Sequence, residues 1–170
     1  LLAAPMALIV EDAAGRPLKW KQGSFRFIKK KEGIVGWTAT SSANSLRMEV
    51  TGTLEFDGFA EFKVTVSATK PVEVHDIRLE LPLAPEAVNY MMGLGLKGGW
   101  RPARYDWTWD VKKDQDSAWV GDANAGLQFK LKGENYARPL LTNFYEDGPL
   151  HMPPAWFNDG RGGITLRESQ

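Results

Sequence analysis

Cysteine is absent from this chain of 170 residues, so disulfides, thiolate metal sites and a cysteine nucleophile are all excluded. The compartment stays open, because a cysteine-free chain suits any of them. Histidine is nearly absent as well: His75 and His151 stand far apart, and no H-x-x-x-H or EF-hand spacing occurs. No metal or cofactor is expected. Net charge is lacking too, with 21 Lys+Arg against 21 Asp+Glu, so there is no basic footprint for nucleic acid and no polybasic patch for an anionic membrane. Long apolar runs are missing. The opening "LLAAPMALIVEDAAG" is apolar for only about ten residues, against the roughly 20 that a spanning helix needs. It also has no basic leader and no initiator Met, so it reads as part of a longer chain rather than as a signal peptide.

Two nucleotide and hydrolase motifs are also missing. "GLGLKGG" lacks the Lys-Ser/Thr pair that closes a phosphate loop, and no Ser sits in a G-x-S-x-G elbow. Helical periodicity is confined to "APEAVNYMMGLGL", where Pro85 suits a first helical turn.

What is present is alternation with period two, the mark of half-buried strands. Phe25 and Phe27 alternate with Ser24 and Arg26, Leu46, Met48 and Val50 with Arg47 and Glu49, and Phe62, Val64 and Val66 with Lys63, Thr65 and Ser67. Asp57-Gly58 marks a hairpin. A two-residue loop there would put Phe62, Val64 and Val66 on the face opposite Leu54 and Phe56, so a three-residue loop is expected, pairing Phe56 with Ala60 and Leu54 with Phe62. In "VEVHDIRLELPL", Val72 and Val74 have one parity and Ile77, Leu79, Leu81 and Leu83 the other. A β-bulge near His75-Asp76 restores a single apolar face, and makes His75 a bulge or edge residue rather than a ligand or base.

These patterns predict an all-β protein: a two-sheet antiparallel β-sandwich with long aromatic-rich loops and at most one or two short helical turns. Residues 1–170 read as a single domain, since such a length buries roughly 70% of its unfolded surface and no linker or repeat divides it.

The densest chemistry lies in "GLGLKGGWRPARYDWTWD", where Trp100, Tyr105, Trp107 and Trp109 follow a run of glycines. If these rings face solvent they form a platform for the C–H faces of pyranose sugars, with Arg101, Arg104 and Asp106 as partners for hydroxyls. If they face inward they are core, one side of an extended segment packed onto the sandwich. Trp119, Tyr136, Phe144, Tyr145, Trp156 and Phe157 join them later in the chain. Single-stranded nucleic acid also stacks on aromatics but needs a basic groove beside them, which a neutral chain does not supply. Glycoside hydrolysis needs two carboxyls about 5 to 9.5 Å apart, and Asp106, Asp110, Asp122, Glu146, Asp147 and Asp159 all stand in loop-rich sequence. No spacing singles out a pair, and acids beside Gly and Asn, as in "EDGP" and "NDGRGG", serve as turn formers. "GDANAG" and "FNDGRGG" also offer oxygen ligands of the kind calcium takes.

The segments Gly52 to Pro102, "WVGDANAGLQFKL" and "AWFNDGRGGITL" together resemble the non-catalytic β-sandwich of large bacterial glycoside hydrolase-like proteins, akin to glycoside hydrolase family 123. The "EFDG" hairpin, the "LELPL" strand ending at Pro82, "GDANAGLQ" and "NDGRGG" carry the resemblance, which is similar to the galactose-mutarotase-like supersandwich of carbohydrate-active enzymes. It implies that the catalytic acids belong to a barrel domain elsewhere in the same chain, that no catalytic residue falls within these positions, and that the setting is secreted or periplasmic. The leading expectation is therefore a non-catalytic accessory domain that supports or completes the substrate cleft of its partner domain. A stand-alone carbohydrate-binding module using the Trp/Tyr-rich loop is the alternative, with poly- or oligosaccharide as ligand. An enzyme using loop carboxylates is the third reading.

Overall fold

The computed structural model describes residues 1–108, 117–130 and 162–168. Trp109, Tyr136, Phe144, Tyr145, Trp156, Phe157, His151 and the acids Asp110, Glu146, Asp147 and Asp159 lie outside the described residues. The fold is all-β; among the described residues the strand pairing is antiparallel and the one helical turn is the 3-10 segment Pro85–Ala87, with Pro85 at its start. The chain divides into two compact units, Met6–Glu80 and a second made of Leu1–Pro5 with Leu81–Gln170.

In the unit Met6–Glu80, strands β2 (Lys21–Lys31), β3 (Ile34–Ala43), β4 (Leu46–Glu55) and β5 (Ala60–Ala68) form a meander in that order. Its register lays apolar residues in rows across one face: Phe27, Trp37, Gly52 and Phe62 in one, Phe25, Ala39, Val50 and Val64 in the next. The other face carries Thr38, Thr51 and Lys63, then Thr40, Glu49 and Thr65. Period-two alternation thus produces a one-sided sheet.

The β4–β5 hairpin keeps Leu54 and Phe62 on one face, as the parity of its residues requires, but its register differs from the expected one. Leu54 pairs with Ala60 and Gly52 with Phe62, and the three-residue loop is Phe56–Gly58, closed by Glu55 N–H donating to the Phe59 carbonyl at 2.8 Å. Gly58 takes φ 88° there, a conformation that a side chain disfavours. The loop has the expected length and is shifted by one residue toward the N-terminus. A shift of the pair by two positions preserves every facing side chain, so apolar pattern alone does not choose between the registers.

Strand β1 (Ala7–Asp12) pairs with β6 (Val74–Glu80). Glu11 opposes Asp76 and Asp12 opposes Val74, leaving His75 as the extra residue of a β-bulge. The bulge returns Val74 to the face of Ile77 and Leu79, where Val10 and Leu8 stand opposite. On the reverse face Arg78 bonds three carboxylates: Glu11 at 2.6 Å, Asp76 at 2.8 Å and Glu80 at 2.8 Å.

The other unit is a small sandwich. One sheet has the order β11 (Gly126–Lys130), β10 (Ser117–Gly121), β7 (Tyr90–Gly93), β8 (Leu96–Trp100), and the second pairs β12 (Gly163–Arg167) with β9 (Arg104–Thr108). Between them Val88, Met91, Leu94, Trp107, Ala118 and Val120 form a buried cluster, against which Tyr105, Leu127, Phe129, Ile164 and Leu166 pack.

Candidate functional site

Alternation along β9 decides the fate of the aromatic stretch. Tyr105 and Trp107 point inward while Arg104, Asp106 and Thr108 point outward, because the two aromatics share one parity and the polar residues the other. Trp107 is only 7% exposed and belongs to the core. Tyr105 is half-buried and donates its phenol O–H to the Leu94 carbonyl, at a backbone position with φ 51°. Neither ring offers a face to a sugar.

Arg101 is also structural. Its side chain is 12% exposed, with Nε donating to the Val88 carbonyl at 2.7 Å, one terminal nitrogen to the Pro102 carbonyl at 3.1 Å, and the other to Glu168 at 3.1 Å. It ties the end of β8 to the segment before β7 and to the residue that follows β12. Arg104 and Asp106 remain on the surface of β9, bonded to each other at 2.7 Å, with Thr165 Oγ1 donating to Asp106 at 2.9 Å. The Arg104 guanidinium, and after it the Thr165 hydroxyl, hold the Asp106 carboxyl below the usual carboxylate range. That shift keeps Asp106 ionised. It is opposite to the raised value that a general acid needs.

Of the three described rings of the expected platform, Trp100 alone stands open, at 76% exposed. The six described residues are not brought together: Trp100 is on the outer face of one sheet, Arg104 and Asp106 on the second sheet, Tyr105 and Trp107 inside, and Arg101 in a clamp; Trp109 lies outside the described residues.

The structure instead assembles a different aromatic group. Directly opposed residues share a face, and Tyr90 opposes both Trp100 on β8 and Gly121 on β10, while Met92 opposes Trp119. Because Met91, Ala118 and Val120 are inward, Tyr90, Met92, Trp119 and Trp100 are outward. The Tyr90 and Trp100 ring centroids are 4.8 Å apart and tilted by 39°. The sequence does not single out Tyr90, and it sets Trp119 apart from the Trp100–Trp109 stretch. The pattern "SAWVG" held the clue, since Ala118 and Val120 on one parity leave Trp119 on the other.

Asp122 in "GDANAG" is a turn former: one oxygen accepts from Asn89 Nδ2 at 2.7 Å and the other from the Ala123 N–H. Among the described residues no group of three or more His, Asp or Glu side chains is arranged to hold a metal ion, and no helix is long and apolar enough to cross a membrane.

A second exposed surface lies on the meander of the unit Met6–Glu80. Phe25 is 60% exposed, and Phe27, Leu54, Phe62 and Val64 on the same face are each more than two-fifths exposed. Phe25 and Phe27 meet edge to face at 5.2 Å, and Trp37 and Phe62 at 5.8 Å. Lys30 Nζ sits 4.2 Å from the Phe27 ring centroid, at the rim. Contiguous exposed apolar surface of this kind marks an interaction face.

Nothing among curated proteins or solved structures matches this chain. One family model does, described as glycoside hydrolase 123, third domain, and it covers residues 1–170. A third domain implies other domains in the same chain. With its antiparallel sheets and full-length match, the chain belongs to the glycoside hydrolase 123 third-domain family.

Proposed function

We propose that this chain is a non-catalytic accessory domain of a glycoside hydrolase-like protein, and that the apolar face of its β2–β5 sheet seats against a neighbouring domain to support or complete the substrate cleft there. The observation that carries this reading is the row Phe27, Trp37, Phe62, flanked by Phe25, Val64 and Leu54, left open on one side of a sheet whose other side is polar. An antiparallel sheet of this pattern needs a partner for its apolar side. The third-domain description supplies candidates in the same chain. Asp106, the outward acid of β9, is ion-paired, which speaks against catalysis by that residue. A secreted or periplasmic setting goes with the same reading.

The test is thermal unfolding of the protein carrying its neighbouring domains, with and without Phe62→Glu. The isolated chain tolerates this change at a half-exposed position, so its own transition moves little. In the larger protein, loss of the seat uncouples this domain into a separate transition and lowers hydrolase activity. An unchanged joint transition with full activity would rule the seat out.

A further inference from the structure

From the outer face of the β8–β7–β10–β11 sheet we propose a glycan-binding surface, in which Trp100, Tyr90 and Trp119 stack neutral pyranose rings. This goes beyond the supporting role, and it concerns different residues in the other unit.

The first support is the seat of Trp119. A Cβ at Gly126 would stand 2.4 Å from the indole nitrogen and 2.5 Å from Cε2 and Cζ2, and one at Gly121 would stand 2.6 Å from Cζ2. The ring therefore rests on the bare backbone of two opposed glycines. One indole face is turned to the sheet and the other away from it. Gly121 and Gly126 are the pair that closes the β10–β11 hairpin; a Cβ at Gly121 would also meet the Gly126 Cα at 2.5 Å and the Ala125 carbonyl at 2.6 Å, whereas at Gly126 the three nearest atoms all belong to the indole.

The second support is the company that Trp119 keeps. Tyr90 and Trp100 stack at 4.8 Å, and Trp100 stays 76% exposed. One strand, β7, separates β8 from β10, and Trp119 is offset from Trp100 by two residues along the strands, so the two stand roughly 12 Å apart on a diagonal of the sheet. Met92 fills the space between them on that face, and the Cβ-less Gly98 lies beside it with φ 110°. The result is a low apolar strip wide enough for more than one sugar ring.

Charge decides the occupant. The outward positions on these strands are Met92, Ser117, Gln128, the glycines and the rings, with Lys97 exposed on β8, Lys130 at the end of β11 and no carboxylate. Pyranose C–H faces suit the rings, and the Gln128 amide, Ser117 hydroxyl and Tyr90 phenol suit hydroxyl groups. Nucleic acid would need a basic groove along the strip, which these strands do not provide.

The experiment is a titration of the chain, read by tryptophan fluorescence, with cellohexaose and chitohexaose as neutral probes and a thymidine oligonucleotide as the competing class. The expected result is saturable quenching by at least one hexasaccharide, with a Kd between about 1 µM and 1 mM. Trp100→Ala then weakens binding by roughly tenfold or more, the scale of one stacking contact. Gly126→Ala keeps every ring but lifts Trp119 from its seat, and it weakens binding as well, whereas Arg104→Ala on the other sheet leaves it unchanged. Absence of quenching by both hexasaccharides, equal affinity in Trp100→Ala, or tighter binding of the oligonucleotide would each overturn the assignment. None of these outcomes touches the β2–β5 seat, whose test reads different residues.

Discussion

The indole of Trp37 lies on the backbone of Gly52: a Cβ at that glycine would stand 2.4 Å from Cζ2 and 2.5 Å from Cε2 of the ring. The two residues oppose each other on β3 and β4, and the ring reaches on to meet Phe62 at 5.8 Å. By propensity, glycine in a strand costs about 0.5–1 kcal/mol against alanine, so Gly52→Ala would ordinarily stabilise. Here the added methyl has no room. Gly52→Ala lowers stability by about 1–3 kcal/mol, the cost of overpacking, as read from the urea midpoint. A neutral or stabilising result would show that the ring has another seat.

Trp107 and Trp100 respond oppositely to truncation. Trp107 is in the core, and Trp107→Ala costs about 3–5 kcal/mol. Trp100→Ala, at an exposed position, stays within about 0.5 kcal/mol of the parent. Chemical denaturation of the two variants checks this, and comparable losses would contradict the assignment of inner and outer faces. It follows that Trp100, and not Trp107, is the variant with which to probe binding.

Arg101 acts as a clamp. Arg101→Met keeps the aliphatic stem but leaves the Val88 and Pro102 carbonyls and Glu168 without their donor, and the loss is about 1–3 kcal/mol. Hexasaccharide affinity is unchanged in the folded variant. A variant of parental stability with weakened sugar binding would return Arg101 to the ligand.

Asp12 gives a pH-dependent contribution of known sign. Its carboxyl is held below the ordinary value of 3.8, first by the backbone N–H of Arg16, then by the Arg16 side chain. A lowered folded-state value means stability that is present above the unfolded value and lost as pH falls through the folded one. Asp12→Asn is therefore less stable than the parent at neutral pH, and the gap closes below about pH 4. A gap of constant size from pH 7 to pH 3 would contradict this origin.

Much of the fold was legible because alternation is a local property of strands. The parity switch at His75 marks its bulge, and the parity of Leu54 and Phe62 fixes the face of the β4–β5 hairpin. Its register was not legible, since a two-residue slip leaves every face unchanged and the choice rests on the Phe56–Gly58 loop closing on itself. The division into two compact units depends on long-range contacts that no local pattern records.

The site was less legible for a related reason. Clustering in sequence suggested that Trp100, Tyr105 and Trp107 act together, yet the chain leaves β8 for a different sheet at Pro102 and separates them. In "RYDWT" the charged Arg104 and Asp106 already imply that Tyr105 and Trp107 face inward. Tyr90 is not legible as a partner because it neighbours Trp100 only through strand pairing, ten positions away in sequence.

The measurement that bears most directly on the accessory role is hydroxyl-radical footprinting of Phe25, Phe27 and Phe62 in this chain alone and in the protein carrying its neighbouring domains. The account predicts oxidation of all three in the isolated chain and protection of all three in the larger protein. Equal oxidation in both would leave the β2–β5 face without a domain partner and would contradict the supporting role.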